Sequence, residues 1–354
     1  MAQWKKKDIV LDSGETVLGQ APIIVSASRS TDIPAFYADW FFYRLKKGYS
    51  AWVNPFNGVK SYVSYDETRF IVFWSKNPRP LLKHLDELKN KNINCYIQYS
   101  LNDYVTEGLE PNVPNVDVRI KTFQELVDKL GIGHVVWRFD PLVLTDKIDI
   151  DSLLQKIKYI GDNLKGYTEK LVFSFVDIAL YKKVKKNLEN DSVHYIEWTE
   201  PMMNEFAQRL SDLNKSQGWN YTLATCSEQL DLEKYGIEHN KCIDDELIIK
   251  LAYEDHELME FLGVVVADEI NPIDLYGTLP PHIQLPNGKF AIITKNNAYK
   301  GQRKFCGCIM SKDIGQYNTC PHQCKYCYAN TSRQSAVANY KKHRNNEFSD
   351  MIIE

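Results

Sequence analysis

The amino-acid sequence predicts an α/β fold: a partial or complete (β/α) barrel of about six parallel strands, TIM-barrel-like, with a cysteine-rich loop near the C-terminus. Two observations predict the barrel. Short runs of apolar, β-branched or aromatic residues recur along the chain, and each is followed by a stretch with helical spacing. Each run also ends in polar or charged residues, which in a parallel barrel would meet at one rim, where barrel enzymes build their active sites.

The six predicted strands are nearly continuous in apolar character, as is typical of strands buried on both faces of a parallel sheet. In chain order they are PIIVSASRSTD, FIVFWSKNP, INCYIQYSLND, HVVWRFDP, LVFSFVD and YTLATCSE. The helical patterns are IPAFYADWFFYRLKK, RPLLKHLDELKNK, VDVRIKTFQELVDKL, DIDSLLQKIKYIGDNL, LYKKVKKNLEN with EPMMNEFAQRLSDLNKS, and DDELIIKLAY. Because strand and helix alternate, we expect parallel strands joined by helical crossovers. An open doubly wound sheet is the alternative, and the polar strand ends favour the barrel.

The chain divides into three parts on this pattern. Residues 1–252 form the predicted barrel domain, residues 253–297 an insertion or linker, and residues 298–354 a cysteine-rich segment that packs on the barrel. Within the first part, SAWVNPFNGVKSYVSYDETR predicts a hairpin whose turn contains Pro55, Asn57 and Gly58.

The composition is typical of a soluble globular enzyme, and the formal net charge of −3 argues against wholesale binding to nucleic acid or to an anionic membrane. The lysines near the N-terminus are not followed by the apolar run that a secretory signal requires. No stretch approaches the roughly 18 to 20 apolar residues of a membrane span. We therefore expect a cytoplasmic protein with no membrane partner.

The polar residues at the strand ends are the candidates for catalysis. They are Arg29, Asp32, Lys76, Arg138, Asp140 and Glu228. An arginine in this position can bind a carboxylate or a phosphate with two parallel hydrogen bonds. Structural roles are the alternative: Asp32 before Pro34 fits a helix N-cap, and Arg138 with Asp140 fits a buried ion pair.

Eight cysteines in a chain expected to be cytoplasmic indicate metal or redox chemistry rather than disulfides, and five of them fall between residues 306 and 327. The stretch YNTCPHQCKYCYAN spaces Cys320, Cys324 and Cys327 as C-x3-C-x2-C. Three thiolates leave one iron of a cubane cluster without a protein ligand. A structural zinc site is the alternative, because further ligands lie nearby in the sequence: Cys306, Cys308, His322 and His343.

Four of the other cysteines suggest a second metal site. Cys226 ends the sixth strand, Cys242 precedes a helix, and Cys306 and Cys308 precede the main motif, which gives four thiols for a second iron–sulfur cluster or for zinc. Alternatively, Cys226 and Cys242 are ordinary buried cysteines. Cys95, inside an apolar strand, is expected in the core.

Several motifs occur together in one order: SASRSTDIPAF, FWSKNP, RFDP, TCSE, KCIDDELI, GQRKFCGCIMSKDIG and YNTCPHQCKYCYAN. With them the chain resembles an uncharacterised bacterial domain-of-unknown-function family allied to the spore photoproduct lyase branch of radical S-adenosylmethionine proteins. The resemblance spans roughly residues 20–252 and 298–340.

The resemblance implies a [4Fe-4S] cluster on Cys320, Cys324 and Cys327 that cleaves S-adenosyl-L-methionine to a 5'-deoxyadenosyl radical, which then attacks an unknown substrate. It also implies an electron donor such as flavodoxin or ferredoxin. The candidate cofactor-binding residues are Ser28, Lys76, Asn77, Tyr326 and Tyr328. Because the motif comes so late in the chain, its loop has to return over the strand ends, beside Arg29, Lys76 and Arg138.

A second function class stays open from the sequence. The chain could be a non-catalytic binding module that is stabilised by zinc or by a closed iron–sulfur cluster and that recognises a nucleic acid or a protein. Two groups of basic residues are the candidates for phosphate contacts. One comprises Arg333, Lys341, Lys342, His343 and Arg344, and the other Lys295, Lys300, Arg303 and Lys304.

Overall fold

The computed structural model describes residues 4–54, 57–226, 228–273, 276–299 and 305–354. Its strands are β1 Lys5–Val10, β2 Thr16–Ala21, β3 Ile24–Ala27, β4 Tyr49–Val53, β5 Lys60–Ser64, β6 Phe70–Ser75, β7 Asn94–Ser100, β8 Val135–Leu142, β9 Leu144–Thr145, β10 Lys170–Phe175, β11 Tyr195–Ile196, β12 Thr222–Thr225, β13 Ile237–His239, β14 Val264–Ala267, β15 His282–Gln284, β16 Phe290–Ile293 and β17 Lys312–Asp313. Its α-helices are α1 Ile33–Phe36, α2 Ala38–Lys47, α3 Leu85–Asn90, α4 Val116–Leu130, α5 Ile150–Leu164, α6 Lys182–Asn190, α7 Glu200–Ser216, α8 Asp245–Ala252, α9 His256–Leu262 and α10 Arg333–Asn345.

Eight strands form one parallel sheet in the order β13-β12-β10-β8-β7-β6-β3-β17. The six strands predicted from the sequence are the central ones, β3, β6, β7, β8, β10 and β12, and they are neighbours in chain order. This confirms the α/β class and the parallel pairing. The two edge strands, β13 and β17, are short additions at either side.

The sheet is open, because β13 and β17 are its two edges and do not pair with each other. A TIM barrel is therefore not formed. The segment of the chain between β13 and β17 accounts for the open sheet. It packs a second core against one face of the sheet, in which Ile248 and Ile249 of α8 lie in the same apolar cluster as Phe70, Val72 and Tyr96. That face would line the inside of a closed barrel.

The other face of the sheet packs against the crossover helices and forms the first core. Alternate residues of each strand point to it, such as Ile71 and Phe73 of β6, as the two-residue period of a strand requires. The crossover helices begin where side chains cap them. Asn115 accepts a hydrogen bond from the Val118 N–H at 3.0 Å at the start of α4, and Asp149 accepts one from the Ser152 N–H at 2.8 Å before α5.

Two smaller sheets flank the central one. The predicted hairpin is present as antiparallel β4 and β5, with Tyr49 opposite Ser64 and Trp52 opposite Ser61. Pro55 of its turn lies outside the described residues. Between 253 and 297 the chain forms α9 and the antiparallel strands β14, β16 and β15. The division of the chain into three domains stays a prediction.

Across the described ranges, the helices are too short or too polar to traverse a lipid bilayer.

Candidate metal centre at the carboxyl edge of the sheet

The cysteine loop, residues 317–330, starts beside the carboxyl end of β3. The strand β17 precedes the loop in the chain and pairs with β3, so that Asp313 lies opposite Ser26. The Asp313 carboxylate accepts hydrogen bonds from the Ser28 hydroxyl at 2.7 Å, the Arg29 N–H at 2.8 Å and the Ser30 hydroxyl at 3.1 Å. The late-occurring loop is thus tied to the first strand of the central sheet, as its position in the chain required.

His322 and Asp32 hold the middle of the loop. His322 Nε2 lies 2.8 Å from Asp32 Oδ2, and its Nδ1 lies 3.1 Å from the Asn112 carbonyl oxygen. The Asp32 carboxylate also accepts from the Ser75 hydroxyl at 2.7 Å and the Lys76 N–H at 2.8 Å, and it caps α1. Asp32 is therefore both the predicted N-cap and an anchor of the cysteine loop. Both ring nitrogens of His322 are engaged in these contacts.

The three thiols of the loop lie in a low-polarity setting. Cys324 is buried, and Cys320 and Cys327 are half-buried. Burial raises the pKa of all three thiols, and each of them interacts electrostatically with at least one of the others. The Lys76 ammonium acts in the opposite direction on Cys324 and Cys327, because a positive charge favours a thiolate.

Lys76 belongs to a buried polar network under the loop. Its Nζ donates to Glu110 Oε1 at 2.8 Å and to the Tyr326 hydroxyl at 2.9 Å, while the Tyr326 hydroxyl also contacts Glu110 and accepts from Asn102 Nδ2 at 3.2 Å. Burial lowers the pKa of Lys76, but Glu110 outweighs it and the net shift is upward. Burial likewise raises the pKa of Glu110, and Lys76 with Arg119 reverses that shift. The network therefore contains a charged pair.

Arg138 contacts Cys242, one of the four cysteines predicted to form a second metal site. Its Nη1 donates to Cys242 Sγ at 3.3 Å and to Gln98 Oε1 at 3.2 Å, and its Nη2 donates to Asp140 at 2.5 Å. The predicted Arg138–Asp140 ion pair is confirmed. Of the three residues predicted to lie beside the loop, Lys76 contacts Tyr326 of the loop, and the Arg29 carbonyl accepts from Tyr328. Arg138 instead contacts Cys242.

The other candidate residues, Tyr328, Asn77 and Glu228, make different hydrogen bonds. Tyr328 donates its hydroxyl to the Arg29 carbonyl at 2.9 Å. Asn77 donates its N–H to the Ser75 hydroxyl at 2.9 Å, while its Oδ1 is buried without a partner. Glu228 accepts from the neighbouring Gln229 N–H at 2.9 Å.

The basic residues of the C-terminal helix are partly neutralised. Arg333 pairs with Asp191, and Arg344 pairs with Glu347 at 2.5 Å. His343 is buried, with Nδ1 at 2.9 Å from the Ile352 carbonyl oxygen. Lys300, Arg303 and Lys304 of the other basic group lie outside the described residues.

The donor set of the loop fits an iron–sulfur cluster in chemistry but is not preformed. Within the described ranges, no group of three or more Cys, His, Asp or Glu side chains is already arranged to hold a metal ion, so ligation requires the thiols to turn. Four buried polar atoms without partners belong to the loop, to Arg29, which the loop contacts, or to sequence neighbours of Asp32 and Lys76. They are Arg29 Nη2, Thr31 Oγ1, Asn77 Oδ1 and Asn330 Oδ1. Such atoms are typical of a site that binds a polar ligand.

The comparisons with known proteins identify the family. A family model described as a domain of unknown function, DUF1848, matches residues 24–329. The chain belongs to this family. The DUF1848 match begins at β3 and ends inside the cysteine loop, so it spans both the central sheet and the loop that folds back on it. No curated protein and no solved structure matches the chain.

Two residues of the site were missed by sequence analysis. Asp313 lies within the motif GQRKFCGCIMSKDIG, so its position in that motif was an available signal. Glu110 follows a short irregular segment and carries no local pattern. Both act through partners more than two hundred residues away in sequence, namely Ser28 and Tyr326.

Proposed function

We propose that this DUF1848 chain is a radical S-adenosylmethionine-type enzyme, in which Cys320, Cys324 and Cys327 hold a [4Fe-4S] cluster with one iron left for the cofactor. The observation that carries the proposal is the position of the cysteine loop. The C-x3-C-x2-C loop is held at the carboxyl edge of a parallel sheet, the edge where such folds bind ligands, and its thiols interact electrostatically with one another.

When bound, such a cluster supplies one electron that cleaves S-adenosyl-L-methionine to a 5'-deoxyadenosyl radical. The protein's part is to hold the ligands and to exclude water. Lys76 is charged and lies near Cys324, so it favours the thiolate form that binds iron. Asp32 contacts His322 and also accepts hydrogen bonds from Ser75 and Lys76, so it joins the cysteine loop to the end of β6.

The cofactor is expected to meet the unpartnered polar atoms beside the loop. Asn77 Oδ1 and Asn330 Oδ1 are acceptors that suit an ammonium group, whereas Arg29 Nη2 is a donor that suits a carboxylate. S-adenosyl-L-methionine carries both groups on its methionine part. Ser28 is less available, since its hydroxyl is already bound to Asp313. Tyr328 is half exposed and can pack on an adenine ring.

The test begins with the purified full-length chain under anaerobic conditions. We expect a brown protein with absorption near ~400 nm and about four irons per chain at the loop. Incubation with dithionite and S-adenosyl-L-methionine is expected to yield 5'-deoxyadenosine, identified by chromatography and mass spectrometry. The variant C320A/C324A/C327A should lose this product, and C95A, which removes a core thiol of β7, should keep it.

Two results would count against the proposal. An intact cluster that yields no 5'-deoxyadenosine removes the enzymatic part. A colourless protein that contains zinc in place of iron, after anaerobic purification with iron and sulfide supplied, supports the other class of function, a metal-stabilised binding module.

A further inference from the structure

A second group of thiols gathers away from the cysteine loop. Its members come from three separate segments: Cys226 at the end of β12, Cys242 before α8, and Cys306 and Cys308 ahead of β17. We call them the second cysteine group. Cys226 Sγ lies 3.2 Å from Cys242 Sγ. The Cys242 N–H donates to Cys308 Sγ at 3.2 Å, and Cys306 lies two residues before Cys308, so the three segments meet at this group.

The sulfurs of this group receive hydrogen bonds from several donors. The N–H groups of Cys242 and Ile243 point to Cys308 Sγ at 3.2 and 3.4 Å. Asn240 Nδ2 and Arg138 Nη1 each lie 3.3 Å from Cys242 Sγ. A neutral thiol is a weak acceptor, whereas a metal-bound thiolate characteristically accepts hydrogen bonds from groups around the site. Four donors therefore face two sulfurs of the group, Cys242 Sγ and Cys308 Sγ.

Positive charge also faces the group. Arg138 and Arg29 each lie with the guanidinium carbon 5.4 Å from the centre of the Trp74 ring, and Arg29 interacts electrostatically with Cys242, Cys306 and Cys308. Each arginine also has a carboxylate beside it: Asp140 forms an ion pair with Arg138, and Asp313 interacts electrostatically with Arg29. Arg29 Nη2 remains buried without a hydrogen-bond partner.

We infer that Cys226, Cys242, Cys306 and Cys308 ligate a second metal centre, in which all four ligands are protein thiolates. Four thiolates complete a tetrahedral zinc site or a closed [4Fe-4S] cluster, and neither leaves a position for S-adenosyl-L-methionine. This centre is distinct from the loop cluster of the proposed function and does not depend on it. The spacing of Cys226 and Cys242 is close to the roughly 3.8 Å that separates two sulfurs on a zinc ion with bonds of about 2.3 Å.

The four thiols have to rotate to reach a shared ion, since the described residues include no preformed metal site. The segments that carry them are already fixed. The Ile309 N–H donates to the Ile243 carbonyl at 3.1 Å. The Tyr96 hydroxyl and Gln98 Nε2 donate to the Cys242 carbonyl at 2.7 and 2.9 Å.

The experiment is an elemental analysis of iron, zinc and acid-labile sulfide per chain in the full-length protein, purified anaerobically. We expect C226A/C242A to lose about one zinc, or about four irons, relative to the wild-type chain. C320A/C324A/C327A is expected to keep that amount, and C95A is the matched control for loss of a buried thiol. Loss of zinc or of iron identifies the metal.

Folding is checked separately, because Cys242 is buried and its removal can destabilise the chain. The gentler variant is C306A, since Cys306 is half-buried, and circular dichroism verifies that each variant is folded. Unchanged metal content in folded C306A and in C226A/C242A would overturn the inference. So would a Cys226–Cys242 disulfide found by mass spectrometry in the wild-type protein as purified. If only the loop variant loses metal, the proposed function survives and this inference fails.

Discussion

Asp313 accepts a hydrogen bond from the hydroxyl of Ser28 at 2.7 Å across 285 residues of sequence. The same carboxylate accepts from the N–H groups of Arg29 at 2.8 Å and Gly315 at 3.0 Å. One side chain therefore joins the last strand of the sheet to the end of β3 and sets where the cysteine loop begins.

The first prediction concerns that junction. Asp313→Asn replaces one acceptor oxygen by an NH2 group, which cannot accept from a backbone N–H. We expect the free energy of unfolding to fall by about 1–3 kcal/mol, the cost of leaving a buried donor unpaired. Urea denaturation followed by circular dichroism measures it. Asp268→Asn is the surface control, because Asp268 and its ion-pair partner Lys289 are both exposed. Equal free energies of unfolding for the two variants would show that the hydrogen bonds of Asp313 do not stabilise the pairing of β17 with β3.

The second prediction concerns the absence of a side chain at Gly315. A Cβ atom built there would lie 1.9 Å from Ser28 Oγ and 2.6 Å from Ser28 Cβ. Gly315→Ala should therefore push the cysteine loop away from β3 and cost about 1–3 kcal/mol or more in unfolding free energy. Removing the obstructing side chain as well, in S28G/G315A, should recover part of the overpacking cost. No difference between the single and the double variant would contradict this close approach.

The third prediction concerns Lys76 and Glu110, whose side chains are 15% and 0% exposed. Breaking such a buried pair leaves one charge without its partner, so Lys76→Met should cost about 3–5 kcal/mol in unfolding free energy. Glu110→Gln in the same background should cost less than it does alone, and a double-mutant cycle measures the coupling. Lys129→Met removes an exposed pair with Asp86 and should cost about 1 kcal/mol or less. Additive effects of the buried pair would contradict the prediction.

The fourth prediction concerns pH. Burial lowers the pKa of His343 from its ordinary value of 6.5, and Arg344 lowers it further, while the Ile352 carbonyl and Glu347 act in the opposite direction. The unfolded chain then binds a proton at a higher pH than the folded one. The contribution of neutral His343 to the stability of the fold is therefore complete above pH 6.5. It is lost as the pH falls through the lower pKa of His343 in the folded chain.

Thermal unfolding between pH 7.5 and 5 tests this behaviour. His343→Gln cannot take up a proton, so its unfolding temperature should fall less steeply over this range than that of the wild-type chain. His282→Gln changes an exposed histidine and should keep the wild-type slope. Identical slopes for all three proteins would show that His343 does not contribute.

Local pattern predicted most of the central sheet. The strands β6, β7 and β8 each carry enough consecutive apolar residues to be recognised, and the stretches between strands have helical spacing. The edge strands could not be found this way. β13 has three residues and β17 has two, which is too short for any period to appear. Their pairing depends on contacts with β12 and β3, which one sequence does not reveal.

The sequence by itself determined the α/β class, the six central strands and the two sets of cysteines, because residue type and local periodicity are readable along the chain. Only the tertiary structure decided that the sheet stays open, since the segment carrying α8 packs on the face that closure would have enclosed. Tertiary packing also decided that Arg138 contacts Cys242 and that Lys76 contacts Glu110 and Tyr326. These contacts link residues far apart in sequence, and their cost or benefit depends on burial, which arises only when the chain has folded.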